Sequence, residues 1–304
     1  MPRLNWERVV SILLIAPAVI AIAIFVYGFI GWTAYASLTK WDQLLPDFTL
    51  IGFSNYQKLF DSATLQGQRF QIDLRNTVVF TLLFLIACLV IGFLLALLLD
   101  QRIRGEGIFR GIYLFPMSIS FIVTGVVWRW LLNPGGVELG STGVNSLFDM
   151  LGLGFLKTGW YTDPKIGIMA VAIAATWQMS GYTMAMYLAG LRAIPYELRE
   201  AARVDGASEL QIVRRIILPL LQPVTLSAVI VLGHISLKIY DLIVAMTGPG
   251  IGFATDVPAY FMWDTTFRGN HFSRGAAIAI ILLVMVAVLI VPYLVHSIRT
   301  EAEL

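Results

Sequence analysis

Residues 200–221 read EAARVDGASELQIVRRIILPLL and form a charged island in a chain that is otherwise largely apolar. The overlapping segment Tyr196–Val204 is rich in strong helix formers, which predicts a short helix. Gly206 then readily adopts the left-handed backbone conformation that commonly ends a helix. Ser208 followed by Gln211 is a capping-box pattern, which predicts the start of a second helix. The stretch therefore predicts a hairpin of two short helices joined by a tight turn.

The second helix of this hairpin is predicted to be amphipathic. Leu210, Val213 and Ile217 recur at helical spacing, so we expect them on one buried face. Pro219 is expected to stop this helix because it lacks a backbone N–H. At the start of the hairpin, Pro195 suits the first position of the first helix, where a backbone N–H has no partner.

The rest of the chain has the composition of a polytopic membrane protein. Of its 304 residues, 58% are hydrophobic and 13% are charged, and the mean hydropathy is +0.79, whereas soluble domains carry about a quarter charged residues. Several apolar runs reach the roughly 20 residues that a helix needs to cross a bilayer, and such long runs favour helices over a barrel. We therefore predict an all-α fold and a single domain over residues 1–304. The six predicted membrane spans are about 9–32, 77–99, 109–132, 166–191, 223–246 and 275–297.

The distribution of arginines predicts the orientation of these spans. Six spans place both termini on one side, and the short segments of that side are dense in arginine. These arginines are Arg3, Arg8, Arg102, Arg104, Arg110, Arg192, Arg199, Arg203, Arg214, Arg215 and Arg299. By the positive-inside rule, we expect both termini and the hairpin to be cytoplasmic. The net charge of +2 is too small to indicate nucleic-acid binding.

The sequence offers no pattern for an enzyme active site or a metal site. A P-loop needs a lysine directly after a glycine, and no lysine of this chain follows one. His234, His271 and His296 are scattered without a cysteine or histidine cluster, which argues against zinc. We therefore expect no catalytic residue, no metal and no cofactor in this chain. If ATP drives its function, another subunit must bind the nucleotide.

Residues 192–221 resemble the EAA loop of the integral-membrane subunits of binding-protein-dependent ABC importers. The matching positions are Glu200, Ala201, Ala202, Asp205, Gly206, Ala207, Ile216, Leu218 and Pro219, preceded by Leu191, Ile194, Pro195 and Glu197. The resemblance implies that this loop docks into a groove of an ATPase subunit. The resemblance then assigns coupling to the ATPase subunit to Glu200, Ala201, Asp205 and Gly206. The alternative is an ordinary amphipathic hairpin in which Asp205 and Gly206 form a mere turn.

The resemblance extends over nearly the whole chain and is closest to carbohydrate permeases of the maltose-transporter type. SLTKWD at 37–42 and LRNTVVFT at 74–81 carry it near the start. LLDQRIRGEGIFRGIYLFPMSISFIVTGVVWRWLLNPG at 98–135 and VLGHISLKIYDLIVAM at 231–246 look like glucose/mannose-type importers. TGPGIGFATDVPAY at 247–260 is similar to the Gly/Pro-rich loop after the fifth span, although Gly-Pro-Gly replaces the usual Gly-Gly-Pro.

This likeness implies an importer for a mono- or disaccharide that works only with partners. The chain would lie in the lipid bilayer of a bacterial or archaeal plasma or inner membrane and pair with a second, homologous permease subunit. An ABC ATPase dimer would bind ATP and magnesium. An extracytoplasmic sugar-binding protein would deliver the sugar.

Three polar residues of the fifth predicted span, His234, Lys238 and Asp241, are spaced by four and three and would share one helix face. Charges at membrane depth are costly and usually face a protein interior or a wet cavity. Lys238 and Asp241 would also be able to neutralise each other at i,i+3. These residues therefore either line a translocation path or fix a structural interface. An alternative function is a stand-alone, ion-coupled secondary transporter that uses Lys238 and Asp241.

A sugar path needs aromatic faces and hydrogen-bonding groups, because sugars present CH faces and many hydroxyls. Gln178, Tyr182 and Ser236 offer such groups in the fourth and fifth predicted spans. By resemblance to maltose-type permeases, the segments around these residues, 178–182 and 232–239, approach the substrate. Met179 and Ile239 are therefore also predicted to line the path. The alternative is that these side chains pack the helix bundle.

Overall fold

A computed structural model describes residues 6–101, 103–135 and 142–302 of the chain. Within those residues the protein is all-helical, and its β pairing is confined to one isolated antiparallel bridge between Thr39 and Leu50. The helices are α1 (Trp6–Ile22), α2 (Phe29–Ser37), α3 (Ser54–Phe60), α4 (Leu65–Asp100), α5 (Glu106–Leu114), α6 (Phe121–Leu131), α7 (Gly143–Met150), α8 (Gly167–Ala193), α9 (Tyr196–Val204), α10 (Glu209–Ile212), α11 (Leu218–Leu220), α12 (Gln222–Leu237), α13 (Asp241–Met246), α14 (Pro258–Trp263) and α15 (Phe272–Ala302). The prediction of an all-α fold is confirmed.

Three helical stretches of the described chain are long and apolar enough to cross a membrane: Ile12–Ser37, Leu65–Asp100 and Phe272–Pro292. Two bent pairs raise the number to five if each pair forms one span: Glu106–Ser118 with Phe121–Leu131, bent by 99°, and Glu209–Leu220 with Gln222–Leu237, bent by 64°. The fourth predicted span coincides with α8, whose 27 residues are rich in small and hydroxyl side chains. Because α8 is not among these stretches, the count of six spans stays a prediction.

α4 and α8 pack side by side at the centre of the bundle. Their contact is close because Gly92 of α4 has no side chain at the crossing: a Cβ built there would lie 2.7 Å from Thr183 Cβ. Small residues of this kind let helix backbones approach each other in a membrane. The main apolar core surrounds the pair and includes Phe80, Phe84 and Cys88 of α4, Val171, Ala174 and Ala175 of α8, and Leu242, Ile243 and Met246 of α13.

α5 and α6 are separated by a sharp break at the 3-10 turn Phe115–Ser118. A helix break leaves backbone carbonyls without helical partners. Gln178 of α8 satisfies one of them, because its Nε2 donates to Ile119 O at 2.6 Å. Gly181, about one turn further along α8, faces the same break, and a Cβ there would lie 1.9 Å from Tyr113 O. α8 therefore stabilises the break between α5 and α6 in two ways: Gly181 lets the two backbones approach closely, and Gln178 hydrogen-bonds a carbonyl of the break.

The fifth predicted span is broken where the sequence predicts one continuous helix. α12 ends at Leu237, the chain leaves helical geometry at Lys238, and Asp241 opens α13. His234, Lys238 and Asp241 therefore do not lie on one face of one helix. The expected i,i+3 neutralisation is also wrong, since these two described side chains form no ion pair within 4.0 Å. A carboxylate in the first turn is stabilised by the helix dipole, which favours a helix start at Asp241.

Pro219 does not end the second hairpin helix, contrary to the prediction. The π-helical turn Val213–Ile217 precedes it, and the helix continues through α11. The wider turn relieves the clash that a proline ring makes with the carbonyl four residues earlier. The helix ends instead at the 64° bend before α12. Pro195 is the N-cap of α9, one position before the first turn in which it was expected.

Candidate functional site

The turn of the hairpin is a helix C-cap built on glycine. Gly206 has a φ of +81°, which a residue without a Cβ adopts freely. Ala207 N donates to Ala202 O at 2.9 Å, and Gly206 N donates to Arg203 O at 3.0 Å. These two bonds form a Schellman motif, which satisfies carbonyls at the end of α9. The local sequence therefore fixes the direction in which the chain leaves α9.

The second arm of the hairpin starts at the predicted capping box. Ser208 N donates to Gln211 Oε1 at 2.8 Å, and Gln211 N donates to Ser208 Oγ at 3.4 Å. The predicted buried face is correct for Ile217 but wrong for Leu210, which is 76% exposed, and Ile212 is buried in its place. The π turn explains this difference, because it spaces the buried positions five residues apart rather than three or four.

The four residues to which the sequence assigns coupling lie together on α9 and its turn. Glu200, Ala201, Asp205 and Gly206 are all exposed. Beside them, Val204 is 83% exposed. Gly206 faces open space, because a Cβ built there would meet no atom within 4 Å. The turn thus presents exposed backbone, carboxylates and an apolar side chain, a combination suited to contact with another protein.

Ion pairs hold the hairpin on the bundle. Arg199 Nη1 lies 2.5 Å from Asp100 Oδ2 at the end of α4, and its Nη2 donates to Leu191 O of α8 at 2.9 Å. The Arg199 and Asp100 side chains are 15% and 14% exposed. Arg192 of α8 pairs with Glu106 of α5 at 2.7 Å. We call this end of the bundle the hairpin end and the opposite end, where α4 begins, the loop end.

A cavity of about 1360 Å³ lies at the hairpin end, between the last turn of α4, the start of α5 and the two arms of the hairpin. Its charged lining consists of Asp100, Glu106, Glu209, Arg192, Arg199 and Arg203. Each of these side chains has a partner of opposite charge within the set. The cavity therefore presents balanced charge, and it does not favour a ligand of either sign.

The residues predicted to line a substrate path lie on α8, on α12 and in the break that follows α12, and they differ in burial. The buried ones are Gln178, Met179, Ser236 and Ile239, which are 2%, 8%, 1% and 5% exposed. Tyr182 and His234 are half-buried, and Lys238 is exposed. Ser236 Oγ donates to Gly233 O at 2.8 Å and accepts from Thr81 Oγ1 at 3.0 Å, whereas Gln178 Oε1 is buried without a hydrogen-bond partner among the described residues. Gln178 Nε2 donates to Ile119 O at the break between α5 and α6.

An apolar groove of about 720 Å³ runs between α4, α5 and α8. On α8 it is lined by Met169, Ile173 and Trp177, which recur every four residues on the side of the helix away from Gln178. Trp177 is 39% exposed and packs edge-on against Trp128, with ring centroids 5.9 Å apart. The helical spacing of these apolar residues is the signal that marks this face, whereas the sequence-based prediction followed the polar residues of α8.

The described part of the chain combines an all-helical fold with apolar helices of membrane length, which is typical of an integral membrane protein. The model of the family described as binding-protein-dependent transport system inner membrane component matches residues 89–300. The chain belongs to this family. The predicted resemblance to the integral-membrane subunits of binding-protein-dependent importers is confirmed at the level of the family.

Relatives match along nearly the full length of the chain. A probable ABC transporter permease protein of Pyrococcus horikoshii is 45% identical over 291 residues, which cover 95% of this chain and 96% of the relative. The xylose/arabinose import permease protein XacH of Haloferax volcanii is 38% identical over 282 residues, which cover 91% and 84%. The crystal structure of a bacterial ABC transporter involved in the import of the acidic polysaccharide alginate contains a chain with a TM-score of 0.74 and 23% identity, covering 93% of this chain and 96% of that one. That likeness shows the fold.

Proposed function

We propose that this chain is the permease subunit of an ATP-driven ABC importer for a mono- or disaccharide. The observation that carries the proposal is the 38% identity, over 91% of the chain, to a xylose/arabinose import permease. The match of residues 89–300 to a binding-protein-dependent family agrees with it. Within the sugars we favour a substrate of the glucose/mannose type, on the resemblance carried by residues 98–135 and 231–246.

In this proposal the chain crosses a bacterial or archaeal inner membrane six times. The helix α8 is the fourth span, and the two bent pairs contribute to the third and fifth. The hairpin end and both termini face the cytoplasm, and the loop end faces outward. The arginines clustered at the hairpin support this orientation through the positive-inside rule: Arg192, Arg199, Arg203, Arg214 and Arg215.

The hairpin turn docks into a groove of an ABC ATPase subunit. Glu200 and Asp205 offer carboxylates to cations of the partner, and Ala201 and Gly206 allow its backbone to approach closely. The ATPase dimer binds ATP and magnesium, for which this sequence has no P-loop. Movement of the docked hairpin passes into α8 and α12, the helices that flank it in the chain.

The sugar passes between this chain and a second, homologous permease after an extracytoplasmic binding protein delivers it. The partly accessible residues Tyr182, His234 and Lys238 contact the sugar. The buried residues Gln178, Met179, Ser236 and Ile239 shape the path from behind. Tyr182→Ala is expected to raise the KM for uptake in a complex that still assembles, and unchanged uptake kinetics would remove Tyr182 from the path.

The proposal is tested by affinity purification from native membranes in mild detergent, followed by mass spectrometry of the proteins that accompany the chain. We expect a second permease with its own EAA-like loop and an ABC ATPase. ATP hydrolysis of the complex with the binding protein is then measured with glucose, mannose, xylose, arabinose and maltose. Recovery of the chain alone, with gradient-driven uptake after reconstitution, would overturn the proposal.

A stand-alone, ion-coupled transporter gains no support from the geometry. Such a mechanism would rely on Lys238 and Asp241 acting together at membrane depth. The break between α12 and α13 separates the two side chains, and both are exposed. We therefore propose only the importer.

A further inference from the structure

α7 and the turn that follows it carry apolar side chains that the described part of the chain leaves uncovered. Leu147, Met150 and Leu151 are spaced at i, i+3 and i+4, so they share one side of the helix and its C-cap. Phe155 and Leu156 follow in a 3-10 turn. All five are exposed, and Met150 and Phe155 are each 81% exposed. We call these five residues the apolar stripe.

The other side of α7 is packed against the protein. Asn145 is buried; its Nδ2 donates to Thr158 O at 3.0 Å, and its Oδ1 accepts from Trp160 Nε1 at 2.9 Å. Phe148 stacks on the ring of Trp160, with centroids 6.5 Å apart. These contacts fix the rotation of α7 about its axis. The apolar stripe is therefore held in one direction, away from the protein.

The start of α8 places α7 at the loop end of the bundle. A Cβ built on Gly167 would lie 3.2 Å from Ala254 Cβ. Two positions further on, Asp256 pairs with Arg69 in the first turns of α4 at 2.6 Å. α4 begins at the loop end, so α8 begins there too. Trp160, which binds α7, precedes Gly167 by only seven positions, and α7 therefore lies at the same end.

α7 begins directly on the last turn of α6. A Cβ on Gly143 would clash with the backbone of Leu131, and Thr142 Oγ1 donates to Asn133 O at 3.0 Å. Trp130, in this last turn, is 68% exposed. Tryptophan is enriched at the level of the lipid headgroups, where its ring meets both apolar and polar surroundings. The end of α6, and α7 with it, therefore lies at the level expected for the membrane surface.

An exposed apolar face of α6 runs up to this level. On the opposite face, Gly125 packs against α13, where a Cβ would lie 2.7 Å from Ala245 Cβ. The proposed topology has the bent pair of α5 and α6 contribute to the third span, so the exposed face meets hydrocarbon. The apolar stripe continues an apolar surface that is already in the membrane. The exposed residues of α6 are Ile122, Val123, Val126, Val127 and Trp130.

The chemistry of the apolar stripe favours lipid over a second protein. A transient protein interface is only about as apolar as the rest of a protein surface, whereas all five side chains here are apolar. The nearest charge on α7, Asp149, lies about 200° around the helix from Leu147. It pairs with Lys157 at 3.0 Å, and both side chains are exposed. The charges of this segment are thus kept off the stripe.

We propose that the apolar stripe is an interfacial anchor that inserts into the outer leaflet of the bilayer beside the end of α6. Met150 and Phe155 reach the boundary between headgroups and acyl chains, about 5–10 Å deep. Asp149 and Lys157 remain in water. The anchor rests on the topology in the proposed function, and it fixes the depth of the loop that joins α6 to α8.

The test measures the depth of nitroxide labels in the whole complex, reconstituted in liposomes of phosphatidylethanolamine and phosphatidylglycerol. Met150→Cys and Phe155→Cys are labelled in a Cys88→Ser background, whose own signal is subtracted. Collisions with oxygen, which concentrates in lipid, are compared with collisions with a nickel chelate, which stays in water. Both labels are expected to collide more with oxygen, at a depth of about 5–10 Å. Asp149→Cys, on the same helix, is the matched control and is expected to collide more with nickel.

A label at Val126→Cys on α6 separates the anchor from the topology on which it rests. Oxygen-dominated collisions at Val126 with nickel-dominated collisions at Met150 and Phe155 would overturn the anchor and leave the topology intact. Nickel-dominated collisions at all three positions would overturn both. Labels at Met150 and Phe155 that are shielded from both reagents, or that become shielded only when the binding protein is added, would assign the stripe to a protein partner and also overturn the anchor.

Discussion

Substitutions of Gly206, the glycine of the hairpin turn, can distinguish the effect of backbone strain from the effect of partner docking. Gly206 has a φ of +81°, which costs a residue with a Cβ about 1–2 kcal/mol and which asparagine adopts more readily. A Cβ at this position meets no atom within 4 Å, so a substitution creates no clash inside the chain. Gly206→Ala is therefore expected to destabilise the turn by about 1–2 kcal/mol, and Gly206→Asn by less. Trypsin cleavage at Arg203 reports the opening of the turn.

Docking onto a partner is expected to reverse the order in which alanine and asparagine are tolerated at position 206. If the ATPase backbone approaches Gly206 closely, a methyl group is accommodated better than an amide, and an arginine is excluded. Gly206→Ala should then retain most of the sugar-stimulated ATP hydrolysis, Gly206→Asn should lose more, and Gly206→Arg should abolish it with normal membrane insertion. The turn strain alone corresponds to roughly 5- to 30-fold in an equilibrium, so a larger loss in the arginine variant requires steric exclusion.

The order of the variants decides between the two roles of the turn. If coupling follows turn stability, with asparagine tolerated best, the turn is only structural and the docking argument fails. Unchanged transport in Gly206→Arg would refute it outright. Gly152→Asn is the matched control, because Gly152 also has a positive φ, +70°, and also faces open space. It lies in the loop after α7, and its substitution is expected to leave coupling unchanged.

Two further outcomes follow from the packing and hydrogen bonding of the chain. Gly92→Ala puts a Cβ 2.7 Å from Thr183 Cβ, and overpacking of about 1–3 kcal/mol should lower the melting temperature of the solubilised complex; an unchanged melting temperature would contradict the close crossing. Gln178→Leu removes the donor to Ile119 O and should cost about 1–3 kcal/mol of stability at constant KM, whereas a raised KM at constant stability would assign Gln178 to sugar contact.

The features that the sequence predicted best are those set by neighbouring residues. The helix of residues 196–204, its glycine C-cap and the capping box at Ser208 each depend on a few consecutive side chains, and all three are present. The exposure of Gly206 and Asp205 follows from the same local geometry. Patterns of this kind need no knowledge of the rest of the fold.

The features that the sequence missed depend on contacts between distant parts of the chain. Asp256 lies 187 positions from Arg69, and no spacing rule connects them. The break at Lys238 lies between two apolar helices, and hydropathy averaged over the whole run predicts one continuous helix. The hydrogen bond from Gln178 Nε2 to Ile119 O is of the same kind, because that carbonyl is available only at the break between α5 and α6. The assignment of Gln178 to a sugar path stays a prediction.

The π turn Val213–Ile217 gives this protein a simple evolutionary adjustment of its hairpin. Such a turn holds one residue more than the α-helical path that it replaces. Substitutions that return these residues to α-helical geometry without a deletion would rotate the preceding arm by about 100° around the helix axis, since an α-helix turns 360° in 3.6 residues. Gly206 and its neighbours at the tip of the hairpin would keep their own sequence and would face in another direction. A change of helix geometry at the base can thus alter which face of the hairpin a partner meets, independently of substitutions at its tip.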